Sequence, residues 1–409
     1  MLPRDKMTVN EEFEIIRRGV DEIISEDELV RKLETARRES RPLTVKQGFD
    51  PTAPDIHLGH TVSLRKLRQF EELGHKVIFL IGDFTALIGD PTGRSKLRPR
   101  MTREEILSNA ETYKKQIFKL LDPEKTIIEF NSRWLAKMSF ADVLGLASRY
   151  TVARMLERDD FAKRFAEGKP ISIMEFLYPL AQAYDSVALK ADIELGGTDQ
   201  KFNLLVGREI QKEYGLEPQV LILMPLLEGT DGVQKMSKSY KNYIGVNDEP
   251  FDMFGKIMSI PDSLIMRYFT LCSDYDEKRL KKVEQALESR SVNPMELKKE
   301  LAYDIVKLYH SEDAAREAKE RFEYVFQKRK GVPEDIPVVN MKKGEAVWVV
   351  ELMKRAGVIS SSSEGIRLIN QGAVEMDGVK VTDPKGKLLF EHKAVFKVGK
   401  RRFFKVCPE

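Results

Sequence analysis

Two small groups of residues in this sequence have the types and spacing to do chemistry, and they lie far apart. His57, Gly59 and His60 stand in H-L-G-H, and Lys235 and Lys238 stand in K-M-S-K-S. Two imidazoles three residues apart share one face of a helix. If the helix begins just before them, they occupy its first turn, where unpaired backbone N–H groups and the helix dipole favour an anion. Gly59 carries no side chain to keep a ligand off the backbone. The two lysines belong to a stretch loosened by Gly229, Gly232 and Gly245, so they are cations able to close on a polyphosphate. Taken alone, each motif reads equally as an ordinary helix start or a solvated basic loop. Their joint presence calls for elements that bring them together.

The sequence around the first motif supplies such elements. Val45 to Phe49 reads as the end of a buried strand. Pro51 and Pro54 stop it by removing donors and fixing φ. From Ile56 the apolar spacing turns helical (Ile56, Leu58, Val62, Leu64, Leu67, Phe70), with Asp55 as N-cap or first-turn acid. Gly74 closes that helix, and residues 76–82 form a continuous apolar run, as a strand buried on both faces requires. Strand, helix and strand in this order predict a parallel pair with a right-handed crossover. The loop that follows holds Asp90, Arg94 and Arg98. In a doubly wound sheet it faces the same crevice as the first motif, outside the carboxyl ends of the strands. Asp90 there suits a cationic group, and the arginines suit phosphate.

A second strand, glycine turn and helix start recur at 191–201, with Gly196-Gly197-Thr198-Asp199-Gln200. Gly197 lets backbone approach a ligand, Asp199 suits a ribose, and Gln200 suits a small polar group. Just before them, Tyr178, Gln182 and Asp185 fall at i, i+4 and i+7 on one face of an otherwise apolar helix. A phenol, an amide and a carboxylate together are costly there unless solvated or bonded. They form either a buried hydrogen-bond network or a pocket for a small polar ligand. A final core strand is expected at 219–227.

H-L-G-H and K-M-S-K-S together resemble the two signatures of class I aminoacyl-tRNA synthetases. The surrounding G-F-D-P-T-A-P-D-I-H-L-G-H, L-I-G-D-P-T-G-R-S, Y-P-L-A-Q-A-Y-D and G-G-T-D-Q resemble the bacterial-type tyrosyl-tRNA synthetases. The resemblance is strong from about residue 40 to 245, moderate from 345 onward and weak between. It implies L-tyrosine, ATP and tRNA(Tyr) as substrates, with Mg²⁺ carried mainly on the ATP phosphates and no resident metal site. By resemblance Thr52, His57, His60, Lys235, Lys238 and Ser239 are catalytic. Asp50, Gly59, Arg94, Gly197, Asp199, Met236 and Lys238 bind ATP. Asp90, Tyr178 and Gln182 surround the amino group, Gln200 assists, and Asp185 accepts from the phenolic OH. A site built to hydrogen-bond a hydroxyl rejects the analogue lacking it, a rule for which this family is itself the usual illustration. Many bacterial members carry tyrosine two residues before Gly-Phe-Asp. Lys46 stands there instead, which leaves open loss of one partner at the phenol or its replacement by the ammonium, directly or through a water.

The remaining chain fits this plan. Residues 1–40 read as amphipathic helix. The stretch from about 115 to 175 is mostly helical, with a strand at 126–130 and an apolar face (Phe140, Val143, Leu144, Leu146, Ala147, Val152) that core packing explains as well as a partner would. The resemblance makes it the contact of a homodimer. The expected organisation is α/β: a Rossmann-like parallel-sheet catalytic domain at 1–245, an α-helical domain at 246–330, a Gly/Pro linker at 331–344 and a small α+β domain at 345–409. The last contains L-I-N-Q-G-A-V-E-M-D-G-V-K-V, which resembles the S4 RNA-binding domain. Asp377-Gly378 between alternating strands is a hairpin signal, and a second hairpin is expected at Val398-Gly399. Lys397, Lys400, Arg401, Arg402 and Lys405 interleave with Phe396, Phe403 and Phe404, which suits RNA phosphates. Ser360 to Ser363 replace the family's usual basic pair.

Composition sets the outer bounds. With 68 Lys and Arg against 65 Asp and Glu over 409 residues, there is no global pull toward nucleic acid, so RNA affinity must be local. Two distant cysteines and five scattered histidines give neither a disulfide framework nor a zinc pattern. No apolar run reaches membrane length, and the expected location is the cytoplasm. The alternatives are a tryptophanyl-type synthetase, a ligase of the same superfamily that acts without tRNA, and a catalytically silent RNA-binding relative. Gln182 with Asp185 argues against the first, the S4-like tail against the second, and the intact signatures against the third.

Overall fold

The computed structural model describes residues 7–52, 55–89, 102–326, 336–399 and 402–409. By internal contact the chain divides into two compact units, 1–248 with 259–301, and 249–258 with 302–409. The helical stretch 246–330 is thus shared between the units. Residues 331–335 of the expected linker lie outside the described residues, and Val338–Met341 within it form a strand of the C-terminal sheet.

The first unit is built on one sheet. Its strands are β1 (Glu22–Ile24), β2 (Thr44–Phe49), β3 (Lys76–Ile81), β4 (Ile127–Phe130), β5 (Ile193–Gly197) and β6 (Val220–Met224), in the order β1-β6-β5-β2-β3-β4. The five strands β2 to β6 pair in parallel, and β1 closes one edge antiparallel to β6. After Lys76, every residue of β3 is buried, as its apolar run requires. Successive connections leave β2 toward β3 on one side and reach β5 on the other. The carboxyl ends of β2 and β5 therefore open on a switch-point crevice, where loops from both halves of the sheet converge.

Two local expectations need correction. Residues 1–40 do not read through as helix: helices Val9–Arg17 and Glu26–Arg38 flank β1. Gly19 at φ 70° ends the first helix, and Ile23 and Ile24 pair with Ile222 and Leu221. Pairing with an open sheet edge outweighed the helical stripe. The signature helix begins at Leu58 with His57 as its N-cap, two residues later than the apolar spacing suggests, so Asp55 lies outside it.

The second unit contains the C-terminal module. Strands β7 (Val338–Met341), β8 (Ala346–Trp348), β9 (Val374–Met376), β10 (Val379–Lys380), β11 (Lys387–Leu389), β12 (Ala394–Val398) and β13 (Arg402–Pro408) form a five-stranded sheet, β10-β9-β12-β13-β7, and a pair, β11-β8. Asp377 at φ 49° and Gly378 at φ 86° make the tight turn between β9 and β10, as the Asp-Gly signal predicts. β12 returns antiparallel as β13. Val347 pairs in β8 with Leu388, and the helix that follows starts at Val349. Phe396 and Phe404 stack with ring centroids 4.7 Å apart inside the module's own core, with Val374, Val350 and Leu352.

Candidate active site

The cleft at the switch point has a volume of about 730 Å³ and is lined from β2, β5, the two signature segments and the helix Ile173–Leu189. Its first wall is the start of the helix Leu58–Glu72. His57 is its extended N-cap, Gly59 its second residue and His60 its third. The two imidazoles stack, with centroids 3.8 Å apart. The His57 amide donates to His60 Nδ1 at 3.3 Å. That bond requires Nδ1 to be bare, so the neutral ring carries its proton on Nε2. Burial, then the neighbouring His60, then the Lys238 ammonium push His57 down to about 2. Burial and Lys238 push His60 down to about 4. Both rings are therefore neutral near pH 7, and toward an anion they act as directed N–H donors rather than as charges.

The second signature closes against the first. The Gly59 amide donates to Met236 Sδ at 3.3 Å, and Leu58 N donates to Ile244 O at 2.9 Å. A Cβ at Gly59 would lie 3.0 Å from the His57 ring and 3.4 Å from Met236 Cβ, so a side chain here would press both apart by a few tenths of an ångström. Lys235 Nζ meets Asp199 Oδ2 at 2.8 Å, and Lys238 Nζ meets Asp55 Oδ2 at 2.9 Å. Ser239 lines the same cleft. Asn242, which the sequence did not single out, holds the loop in shape. It donates to Asp231 Oδ2 at 2.8 Å and accepts from the Ser237 amide at 2.8 Å.

The helix Ile173–Leu189 lines another part of the cleft. Tyr178, Gln182 and Asp185 line it together, as their i, i+4, i+7 spacing implies. Tyr178 donates to Asp50 Oδ2 at 2.9 Å, and Thr85 Oγ1 donates to Asp50 Oδ1 at 2.7 Å. Its proton spent there, Tyr178 oxygen can only accept from a ligand. Gln182 Oε1 accepts from Asn203 Nδ2 at 3.1 Å. Asp185 is almost wholly buried, and burial pushes its carboxyl up to about 7. Trp134 Nε1 donates to it at 2.7 Å and Asn131 Nδ2 at 3.2 Å. Each carboxylate oxygen retains room for a further donor. Asn131 and Trp134 come directly after β4. Their position beyond the carboxyl end of a strand is the one signal that could have marked them.

Gly197, Asp199 and Gln200 follow β5 at the rim, and Gln200 Oε1 accepts from the Gly197 amide at 3.1 Å. A Cβ at Gly197 would stand 2.6 Å from Asp199 Oδ1. Thr52 also lines the cleft. Lys46 does not. It is fully buried beneath the wall, with Nζ 2.9 Å from Glu194 Oε1, so it cannot offer its ammonium directly to a ligand in the cleft. Asp90, Arg94 and Arg98 lie outside the described residues, as do Lys400 and Arg401. In the C-terminal module Lys397 stands 3.7 Å from Glu375, and Lys405 is half-exposed on β13. Arg402 is turned back onto Val358 O and Glu364 Oε1, at 2.6 and 2.8 Å. No helix among the described residues is long and apolar enough to cross a membrane.

Comparison with known proteins gives this geometry a context. Residues 38–327 match the family described as tRNA synthetases class I (W and Y), and residues 347–392 match the S4 domain. A tyrosine–tRNA ligase of Carboxydothermus hydrogenoformans is 56% identical over the whole of both chains. One of Moorella thermoacetica is 56% identical over 97% of this chain and 95% of its own. The tyrosyl-tRNA synthetase of Archaeoglobus fulgidus, solved with L-tyrosine, superposes with a TM-score of 0.62 at 26% identity, covering 76% of this chain and all of that one. Relatives of the tyrosine branch over nearly the full length leave the tryptophanyl alternative unsupported. The chain belongs to the tyrosine–tRNA ligases, class I tRNA synthetases that carry a C-terminal S4 domain.

Proposed function

We propose that this protein activates L-tyrosine with ATP, giving tyrosyl-adenylate and pyrophosphate, and passes the tyrosyl group to the 3′-terminal ribose of tRNA(Tyr). The observation that carries the reading is the meeting of both signatures, through Gly59 and Met236, over one cleft whose far end holds Tyr178 and Asp185. The substrate ammonium lies against Tyr178 and Gln182, with Asp90. Its phenol donates to Asp185, and Gln200 assists at the polar end. ATP lies across the rim on Asp50, Gly59, Gly197, Asp199 and Met236, with Arg94 toward the phosphates.

A carboxylate oxygen of tyrosine attacks the α-phosphorus, and the bond to the bridging oxygen of pyrophosphate breaks. Charge grows on phosphate oxygens, so catalysis is mainly positioning and electrostatic stabilisation. Thr52, His57 and His60 donate hydrogen bonds from one side. Lys235, Lys238 and Ser239 close from the other, the lysines exchanging Asp199 and Asp55 for phosphate. The adenylate carbonyl then takes attack by a ribose hydroxyl, and AMP leaves. Mg²⁺, which the resemblance implies is carried on the ATP phosphates, would neutralise phosphate charge there.

In this reading residues 1–245 are the catalytic domain, 246–330 the helical domain, 331–337 a linker and 338–409, from β7 onward, the RNA-binding module. Lys397, Lys400, Arg401 and Lys405 serve as RNA contacts, whereas Arg402, expected among them, is engaged by Val358 O and Glu364. The protein works in the cytoplasm as a homodimer. Phe140 (77% exposed), Leu144, Val152, Phe165 and Ile173 (78%) support the dimer, because large apolar side chains gathered on one insertion favour a covering partner. Amino-acid-dependent ATP–pyrophosphate exchange without tRNA tests the reading. Exchange with tyrosine, and not with phenylalanine or tryptophan, is expected. Exchange with none of them overturns it.

A further inference from the structure

Behind the lining of the cleft lies more charge than recognition of a phenol uses. In the parallel pairing of β2 and β5, Lys46 stands directly opposite Glu194. Both side chains are buried to within about 2% of full enclosure, with Nζ and Oε1 2.9 Å apart. The other Glu194 oxygen accepts from Ser186 Oγ at 3.0 Å and from Gln219 Nε2. Ser186 is the residue after Asp185, so the ion pair is fastened to the backbone that carries the cleft's deepest carboxylate. Lys46 Nζ makes no well-aligned hydrogen bond. It acts on its surroundings as a charge.

A buried ion pair is poor evidence of added stability, since apolar side chains of similar volume often serve as well. Its placement supplies a different reason. Asp185 is desolvated, and its direct donors, Trp134 and Asn131 from the segment after β4, are neutral. The charges acting on it across the sheet are Lys46 from β2 and Glu194 from β5. Lys46 is the strongest influence opposing burial, and Glu194 acts weakly in the other direction.

We propose that Lys46 is a positioning residue for tyrosine selectivity: from beneath the cleft its ammonium keeps Asp185 in the ionised form that accepts the phenolic hydrogen, and Glu194 tethers it at that depth. The proposal rests on the reading of the cleft as a tyrosine site. Lys46 never touches the substrate, and its effect is carried through the proton on Asp185.

The test is the pH dependence of kcat/KM for tyrosine in ATP–pyrophosphate exchange, at saturating ATP and Mg²⁺. Wild type, Lys46→Arg, Lys46→Met and the double variant Lys46→Met/Glu194→Gln are compared. Lys46→Met is expected to move the acidic limb upward by about one pH unit, costing roughly fivefold near pH 7 and little near pH 9. Lys46→Arg keeps the wild-type profile. Should Lys46→Met leave Glu194 unpaired and fail to fold, the double variant replaces the pair by neutral groups of similar length and is expected to show the same upward shift. In the wild type itself, the Asp185 carboxyl, assigned by carbon-13 NMR against Asp185→Asn, is expected to titrate at about 7. An unmoved limb in a folded Lys46 variant, or an Asp185 that titrates above about pH 9 in the wild type, overturns the inference while tyrosine exchange by the wild type leaves the functional reading standing. No exchange by the wild type overturns both.

Discussion

Lys235 Nζ lies 2.8 Å from the Asp199 carboxylate, so the first lysine of the signature loop reaches across the mouth of the cleft to the acid that follows β5. Both groups are partly exposed, and such a pair contributes roughly 0.2–1 kcal/mol. In Asp199→Asn, amides of residues 235–240 are expected to exchange about 1.4- to 5-fold faster with deuterium. Hydrogen-exchange mass spectrometry reads this directly. Unchanged exchange would show that the backbone bonds to Ile244 and the Asn242 network hold the loop without the ion pair.

Gly59→Ala tests the closeness of the two signatures. The new methyl presses on the His57 ring and on Met236. One of them must yield by a few tenths of an ångström, which costs on the order of 1–3 kcal/mol where packing is tight. The expected result is a rate of adenylate formation lowered about tenfold or more, with tyrosine binding in the absence of ATP within about twofold of wild type. Stopped-flow fluorescence separates the two. Weakened tyrosine binding would mean that the distortion spreads to the far end of the cleft.

Asp185→Asn should stabilise the fold while removing function. Burial raises the Asp185 carboxyl from 3.8 to about 7 in the folded chain. Between about pH 4 and pH 7 the folded state holds a proton that the unfolded state has released, so this group lowers stability as pH rises through that window. The neutral amide escapes the penalty. Denaturant unfolding at pH 8 is expected to show Asp185→Asn more stable by on the order of 1–3 kcal/mol, with tyrosine activation strongly reduced. A variant no more stable than wild type would show that the bonds from Trp134 and Asn131 already offset the burial.

The signature histidines set an acid limit. His57 and His60 are depressed to about 2 and about 4 by burial. Their contribution to stability is complete above the unfolded histidine value, near pH 6.5, and is lost as pH falls toward the folded values, because the unfolded chain then takes up protons that the folded one refuses. Two such groups give a slope of up to about 2.7 kcal/mol per pH unit below pH 6. Urea midpoints measured from pH 7 to pH 4.5 should fall steeply in wild type and less steeply in His57→Asn. Parallel curves would exclude His57 as a source of the slope.

Arg402 and Lys405 are expected to part company. Arg402 bonds Val358 O and Glu364, and that contact, with the Ser360 amide, brings Glu364 down to about 2. Arg402→Ala should therefore lower the melting temperature of the chain while leaving the salt dependence of tRNA binding close to wild type. Lys405→Ala should reduce the slope of log affinity against log salt by roughly one contact, with unchanged melting. The reverse pattern would place Arg402 on the RNA face.

Legibility in the sequence followed the range of the forces involved. The strand and helix that carry His57 and His60 are local, so hydrophobic period and proline placement revealed them to within two residues. Tyr178, Gln182 and Asp185 were legible because helical spacing alone puts them on one face. Trp134 and Asn131 were not, since their partner Asp185 is over fifty residues away and nothing periodic marks a four-residue helix such as Ser132–Leu135. Lys46 was visible as an oddity, but its partner depends on β5 lying beside β2, and strand order is a property of the whole sheet. Residues 22–24 read as helix because the open edge of β6 that captures them lies two hundred residues downstream.

The strand order has a consequence for how the molecule comes into being. β2 is made early, yet its neighbour on one side is β5, so on a ribosome Lys46 waits for Glu194 through the synthesis of nearly 150 further residues. Until then the nascent chain carries an uncompensated ammonium on a strand whose centre, Val45 to Gln47, will be buried, and that strand's flank is open to foreign pairing. An ammonium is costly to bury without its counter-charge, so full enclosure of Lys46 belongs to the step in which β5 joins β2.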